Sequence, residues 1–155
     1  MPRPAKPSPP RSILLVISGV CQEPHGPGGW GYVTCDSDGV ERMGQGANSN
    51  TTANRMELLA AIEGLRALGA KDRATPVRVV SASRYLVGGA KGKRERSANT
   101  DLWAKLDAEL RKRPVNWEWE PPNTMLYQVQ AYQLARLALK RALQESRPEI
   151  VFHLA

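Results

Sequence analysis

The hydrophobic pattern of this chain changes its period once, near residue 50, and that change limits the folds open to it. Three short apolar or alternating runs come first, each followed by turn residues, as strands require: Ser12–Ile17, Trp30–Cys35 and Val40–Gly46. From Arg55 to Leu68, apolar residues instead recur every three or four positions, which places them on one face of a helix. The chain therefore begins with an antiparallel meander and then turns to helices.

The remainder alternates short strand-like runs with helical segments. The predicted segments, in order, are a strand at Val77–Val80, a short helix from Ser83 to Gly88, a helix from Asn99 to Arg113, a strand at Val115–Trp119 and a long helix at Leu126–Leu143. The residues expected to face inward on the last helix are Val129, Leu134, Leu137 and Ala138. Strands followed by strand–helix alternation predict one mixed sheet with helices packed against it.

The length of 155 residues suits a single domain. Residues 1–11 hold five Pro and three basic residues, so we expect a flexible arm there. The folded domain is expected to cover residues 12–145, and residues 146–155 are expected to form an extended tail.

Charge gives the first indication of a partner. The chain has 22 Lys and Arg against 15 Asp and Glu, a net charge of +7, and a positive excess on a small domain favours a polyanion such as nucleic acid. No apolar run is long enough to span a membrane or to serve as a signal peptide, so we expect a cytoplasmic protein. Cys21 and Cys35 have no metal-site spacing and are expected to be reduced thiols.

Four segments resemble segments of type 1 ribonuclease H and occur in the same order as in that family: HGPGGWGYV, TTANRMELLAAIEGLRAL, NTDLWAKLDAEL and VNWEWE. The likeness extends from about Ser12 to Leu143. It implies a five-stranded mixed sheet, three antiparallel strands and then two parallel ones, flanked by helices. It also implies binding of an RNA–DNA hybrid and hydrolysis of the RNA strand with two divalent metals.

The resemblance also identifies the positions of the family's four catalytic carboxylates. Glu57 is retained on the first helix. The other three positions hold Ser18, Ala82 and Tyr132, and Asn123 aligns with the family's mobile His. Two Mg²⁺ ions require several converging carboxylates, so we expect no metal and no other cofactor here.

The remaining acids offer no substitutes. The chain has five Asp, and the predicted elements place them in a hairpin turn, in a loop or on a helix: Asp36, Asp38, Asp72, Asp101 and Asp107. Glu57 could be a plain polar residue or keep a hydrogen-bonding role. We favour drift for Ser18 and Ala82, and a packing role in the vacated pocket for Tyr132. Arg84, one turn from Ala82, would suit a phosphate and repel Mg²⁺.

Other positions match residues with which the family contacts its hybrid, chiefly across the wide minor groove. The expected nucleic-acid-binding residues are Cys21, Gly26, Gly28, Thr52, Asn54, Arg84, Lys91, Lys93, Arg94, Asn99 and Trp103. Core packing is an equal alternative for Trp103, and loop conformation is an alternative for the glycines. The family's basic protrusion is shortened here to Lys91–Arg96.

Three functions remain open. The first is a catalytically inactive ribonuclease H-like protein that binds hybrid or duplex without cleavage, alone or as a subunit of a larger nucleoprotein complex. The second is a protein–protein interaction or scaffold subunit that uses the arm, the last helix and the VFHL tail. The third is a residual hybrid endonuclease.

Overall fold

The computed structural model describes residues 11–70 and 72–145 and contains five strands and four helices within them. The elements are β1 (Ile13–Cys21), β2 (Gly28–Cys35), β3 (Glu41–Asn48), α1 (Ala53–Ala67), β4 (Val77–Ser81), α2 (Arg84–Ala90), α3 (Thr100–Leu110), β5 (Val115–Trp119) and α4 (Leu126–Glu145). The predicted arm at residues 1–10 and the tail at 146–155 lie outside the described residues.

The strands form one sheet in the order β3-β2-β1-β4-β5. The β1–β2 and β2–β3 pairs are antiparallel, while β1–β4 and β4–β5 are parallel. Ile13 pairs with Val77, which in turn pairs with Val115, so the three parallel strands start at one edge of the sheet. This confirms the predicted mixed sheet.

Helix α1 begins at Ala53, two residues before the apolar pattern that predicted it. The Thr52 hydroxyl accepts a hydrogen bond from the Arg55 N–H at 3.2 Å, as an N-cap residue does. The helix lies against β1, and its buried residues include Met56, Leu58 and Ile62. This layer buries the main apolar core, which fixes α1 relative to the sheet.

Helix α4 packs on the face of β1 and β2 opposite α1, through the small residues Ala131, Ala135 and Ala138. A Cβ on Gly29 would lie 2.2 Å from the Ala135 carbonyl oxygen, and one on Gly31 would lie 2.5 Å from that of Ala131. Glycine at these strand positions therefore lets the helix backbone approach the sheet closely.

The predicted inward face of α4 is confirmed at Ala138 and at Leu134, which packs against the core, and is wrong at Leu137. Val129 and Leu134 are half-buried, and Leu137 is 41% exposed. The pattern of large apolar residues misses the alanines because the close approach of α4 places small residues at the centre of the contact.

Smaller differences concern where elements end. Strand β1 continues to Cys21 through a segment predicted as loop, and α2 continues through Gly88 and Gly89. The basic segment 111–113 follows α3 rather than forming its last turn. Asp107, predicted on an exposed face, is half-buried and pairs with Arg96 at 2.7 Å. Within the described part of the chain, no helix has the length and apolar character to cross a membrane.

Candidate functional site

A pocket of about 390 Å³ opens where the parallel strands β1 and β4 end. Ser18, Glu57, Ala82 and Tyr132 line it together with Asn123. The fold therefore brings together all four positions that the resemblance assigned to carboxylates. They lie on β1, α1 and α4 and at the residue after β4. We call this site the carboxylate pocket.

Glu57 reaches the pocket from a buried position on α1. Its Oε1 accepts a hydrogen bond from the Gly19 N–H at 2.8 Å, and its Oε2 accepts one from the Ser81 hydroxyl at 3.0 Å. Burial raises the pKa of the Glu57 carboxyl to about 7, although both hydrogen bonds act to lower it. Both oxygens are thus used by the fold, which supports the hydrogen-bonding alternative for this residue.

Gly19 makes this arrangement possible. A Cβ there would lie 2.4 Å from the Glu57 backbone nitrogen, so any side chain would push β1 and α1 apart. The Ser81 hydroxyl that holds Glu57 also accepts a hydrogen bond from the Ser83 N–H at 2.9 Å. The carboxylate is therefore one part of a small network that joins β1, α1 and the end of β4.

The donor set of the carboxylate pocket does not fit two divalent metals. Glu57 is the one carboxylate among the described residues that line it, Ala82 has no ligand atom, and Ser18 and Tyr132 offer neutral hydroxyls. Across residues 11–70 and 72–145, no cluster of three or more His, Cys, Asp or Glu side chains is placed to hold a metal ion.

Tyr132 lines the carboxylate pocket without filling it. Its side chain is 43% exposed, and its hydroxyl accepts a hydrogen bond from the Arg136 Nη1 at 3.2 Å. The packing role expected for Tyr132 is therefore only partly met, because a cavity of about 390 Å³ remains beside the ring.

Gln128 is a pocket residue that sequence reasoning missed. Its buried amide oxygen accepts hydrogen bonds from the Thr124 and Met125 N–H groups at 2.9 and 3.0 Å, and its Nε2 donates to the Glu120 carbonyl at 3.3 Å. Gln128 thus fixes the loop that carries Asn123. No sequence motif indicates this role of Gln128, because its hydrogen-bond partners are backbone groups.

A second, basic pocket of about 280 Å³ surrounds Trp119 at the same end of the parallel strands. The Arg84 guanidinium carbon lies 3.8 Å from the Trp119 ring centroid, a cation–π contact. The other cations that line this basic pocket are Lys91, Lys93 and Arg94. None of the four is in an ion pair with any residue that the structure describes.

Arg84, expected to suit a phosphate and repel Mg²⁺ beside Ala82, lies in the basic pocket. Its side chain stacks on Trp119 and lines the basic pocket, and it is not among the residues that line the carboxylate pocket. The Trp119 Nε1 donates to the Ala82 carbonyl at 3.0 Å and so joins the two pockets. Sequence reasoning treated Trp119 as a strand residue, and the WEWE alternation gave no sign of this contact.

The predicted glycine-loop and helix-cap residues lie along the edge that leads to the carboxylate pocket. The Cys21 thiol contacts the carbonyl oxygen of Glu23 at 2.9 Å, and the Gly26 carbonyl accepts a hydrogen bond from the Thr51 N–H at 3.0 Å. Gly28 is buried at the start of β2, where a Cβ would lie 2.7 Å from the Thr51 Cγ2, so close packing rather than loop conformation accounts for this glycine. Thr52 caps α1, and Asn54 is exposed on its first turn.

Trp103 and Asn99 are held inside the fold. Trp103 is 3% exposed, and its Nε1 donates to the Tyr85 hydroxyl at 3.1 Å, so the packing alternative is the correct one. Asn99 donates to the same hydroxyl at 2.9 Å and accepts from Arg55 at 3.3 Å, while Arg55 pairs with Asp101 at 2.8 Å. These contacts tie α1 to α3.

The sheet order and the position of the carboxylate pocket define a ribonuclease H-like domain. A family model described as RNase H matches residues 11–122, and the chain belongs to the RNase H family. It is 38% identical over 122 residues to a ribonuclease H of Pseudomonas fluorescens, covering 70% of this chain and 76% of that protein. It is 39% identical over 124 residues to a ribonuclease H of Dinoroseobacter shibae, covering 69% and 77%.

Solved structures agree on the fold. The N-terminal RNase H domain of a Mycobacterium tuberculosis protein superposes with a TM-score of 0.77 at 24% identity, covering 88% of this chain and 99% of that one. LC11-RNase H1, solved in complex with an RNA/DNA hybrid, also gives 0.77 at 24% identity, covering 85% and 99%.

Proposed function

We propose that this protein binds nucleic acid, an RNA–DNA hybrid or a duplex, without cleaving it. The observation that carries the proposal is the carboxylate pocket, where Glu57 is the one carboxylate among the described lining residues and both its oxygens are held by Gly19 and Ser81.

The inactive part of the proposal follows from ligand chemistry. Two-metal hydrolysis needs oxygen ligands that neutralise two divalent cations a few ångströms apart, and neutral hydroxyls do this poorly. Glu57 faces the pocket, but one carboxylate does not neutralise two divalent cations. The protein is therefore expected to work without Mg²⁺ or another cofactor.

The binding part rests on the relatives and on the basic pocket. Relatives about 38% identical carry the name ribonuclease H, and LC11-RNase H1 has been solved with an RNA/DNA hybrid. The four cations around Trp119 have no ion pair among the described residues and would provide phosphate contacts. The Trp119 ring, on which Arg84 stacks, would add an aromatic surface for a base. The net charge of +7 adds long-range attraction for the same partner.

Equilibrium binding to labelled hybrid, double-stranded RNA and double-stranded DNA tests the proposal. If four phosphates are neutralised, affinity for a duplex should fall about 100-fold between about 50 and about 200 mM salt. Association with none of the three, or association that does not respond to salt, would contradict it.

A scaffold function is the second candidate, favoured by the outer surface of α4. A groove of about 910 Å³ runs along this helix, and its apolar lining includes Val20, Leu137 and Leu139. Leu126 is 70% exposed at the start of the same helix. A protein partner that co-purifies in fixed stoichiometry after nuclease treatment would favour this function over nucleic-acid binding.

A further inference from the structure

A small pocket of about 110 Å³ lies at the opposite end of the molecule from the carboxylate pocket. It is bounded by the end of α1, the loop before β4 and the segment that joins α3 to β5. Arg113 precedes β5 and Arg73 lies in the loop before β4, so the pocket opens where the parallel strands begin. Nothing in the proposed function uses this end of the sheet.

Arg113 is the unusual residue of this pocket. Its side chain is 7% exposed, and its Nη2 donates to the Gly69 carbonyl oxygen at the end of α1. Its Nη1 is buried and has no hydrogen-bond partner among residues 11–70 and 72–145. A buried guanidinium N–H without an acceptor is costly, so this group is short of one partner.

The surrounding charges leave the pocket positive. Arg66 and Lys112 both pair with the buried Glu109, at 3.2 and 2.8 Å. Arg73 and Arg113 have no ion pair among the described residues, and Asp72 is the other carboxylate that acts on Arg113. Arg66 also pairs with Glu63 at 3.2 Å, so four cations face three carboxylates, and the two cations without an ion pair among the described residues are Arg73 and Arg113. Burial and the nearby Arg73 both lower the pKa of Arg113.

The end of α1 would by itself repel an anion, because its last carbonyl groups carry partial negative charge. The Gly69 carbonyl, however, accepts the Arg113 Nη2 hydrogen bond. Arg113 therefore offsets the partial negative charge of the Gly69 carbonyl, and its Nη1 is still available as a donor.

We propose that this pocket binds a single phosphate group, as inorganic phosphate or as a terminal phosphomonoester. Arg113 and Arg73 would supply the charge-assisted hydrogen bonds for which guanidinium groups suit phosphate oxygens. The two cations without an ion pair among the described residues would face the phosphate, and a volume of about 110 Å³ leaves no room for a nucleoside beside it. The phosphate of a terminal phosphomonoester would therefore occupy the pocket, while the attached nucleoside stays outside it.

Titration of the full chain with inorganic phosphate, at constant ionic strength held with chloride, tests the site. Arginine side-chain NH signals report binding, and parallel titrations use a 5′-phosphorylated dinucleotide and its unphosphorylated form. We expect saturable binding of one or both phosphate forms and none of the unphosphorylated one. Arg73→Gln should weaken it about tenfold or more, the worth of one charged hydrogen bond.

Arg113→Gln should weaken phosphate binding further, but Arg73 is exposed and its substitution tests the site without disturbing the fold. The matched control is Arg42→Gln, an exposed arginine on β3 outside this pocket. Absence of saturable binding to either phosphate form would overturn the proposal, as would equal weakening by Arg42→Gln and Arg73→Gln.

Discussion

The carboxylate pocket and the basic pocket lie side by side at the end of the parallel strands. They differ in whether the fold provides partners for their charged groups. In the first, Glu57 turns inward and the fold itself satisfies both its oxygens. In the second, Arg84 and three neighbouring cations remain without ion pairs among the described residues and face outward around Trp119. The fold supplies partners for the carboxylate of one pocket, and the cations of the other have no ion pair among the described residues.

The largest expected effect comes from restoring the missing acids. The triple variant Ser18→Asp, Ala82→Asp, Tyr132→Asp should change hybrid cleavage in Mg²⁺ from undetectable to measurable, because it rebuilds the donor set that two metals require. Gel analysis of labelled hybrid measures it. The same variant with Glu57→Gln serves as the control and should stay inactive. A folded triple variant that binds hybrid but does not cleave it would show that more than the acids has been lost.

Charge reversal in the basic pocket should come next in size. Lys91→Glu, Lys93→Glu and Arg94→Glu together should weaken hybrid binding about 100-fold or more, since each removes a phosphate contact and adds repulsion. Stability should change by less than about 1 kcal/mol because these side chains are exposed.

Fluorescence anisotropy with labelled hybrid measures this loss. The matched control reverses three exposed cations that do not line the basic pocket: Arg42, Lys105 and Arg111. Both triple variants have the same net charge. If the control weakens binding as much as the basic-pocket variant, general charge rather than the basic pocket accounts for affinity.

Removing the Glu57 side chain should act on stability and not on binding. Glu57→Ala leaves the Gly19 N–H and the Ser81 hydroxyl without their acceptor and opens a cavity, which should lower the free energy of unfolding by about 3 kcal/mol. Urea denaturation provides the measurement. Unchanged stability together with weaker hybrid binding would reverse the roles assigned to the two pockets.

Stability should also depend on pH through the same group. Burial raises the pKa of Glu57 from 4.5 to about 7, so the folded protein keeps a proton that the unfolded chain releases. This contribution is complete below about pH 4.5 and is lost as the pH rises to about 7, by at most about 3 kcal/mol. Glu57→Gln should remove that pH dependence in urea denaturation series. Parallel curves for the two proteins would contradict it.

The smallest effect is expected at Trp119. Trp119→Leu should weaken hybrid binding about fivefold to tenfold, because one stacking surface is lost while the cations remain. Trp103→Leu offers a contrast, since that ring is buried and its loss should lower stability without a comparable change in affinity. Anisotropy and denaturation on both variants separate the two roles.

Much of the fold could be predicted from the sequence because the period of the hydrophobic pattern distinguishes strands from helices. The change from alternating runs to the three-to-four spacing after Arg55 located both the meander and α1. The face of α4 could not be predicted in this way, because it depends on the approach allowed by Gly29 and Gly31 on a distant strand. A pattern of large apolar residues carries no information about that separation.

The candidate site was predictable where it follows a motif. Ser18, Glu57, Ala82 and Tyr132 were assigned by their place in family-like segments, and the structure brings them together. The hydrogen bonds of Glu57 and the stacking of Arg84 on Trp119 could not be foreseen, since both join residues far apart in sequence. Gln128 was missed because its partners are backbone groups.

The central claim is that binding has been kept and cleavage lost. The most direct test incubates the wild-type protein with labelled RNA–DNA hybrid at saturating protein concentration, in Mg²⁺ and separately in Mn²⁺, beside Glu57→Gln. The account predicts a stable complex and intact RNA with both proteins. Metal-dependent RNA cleavage by the wild type that Glu57→Gln abolishes would contradict it and establish a residual endonuclease.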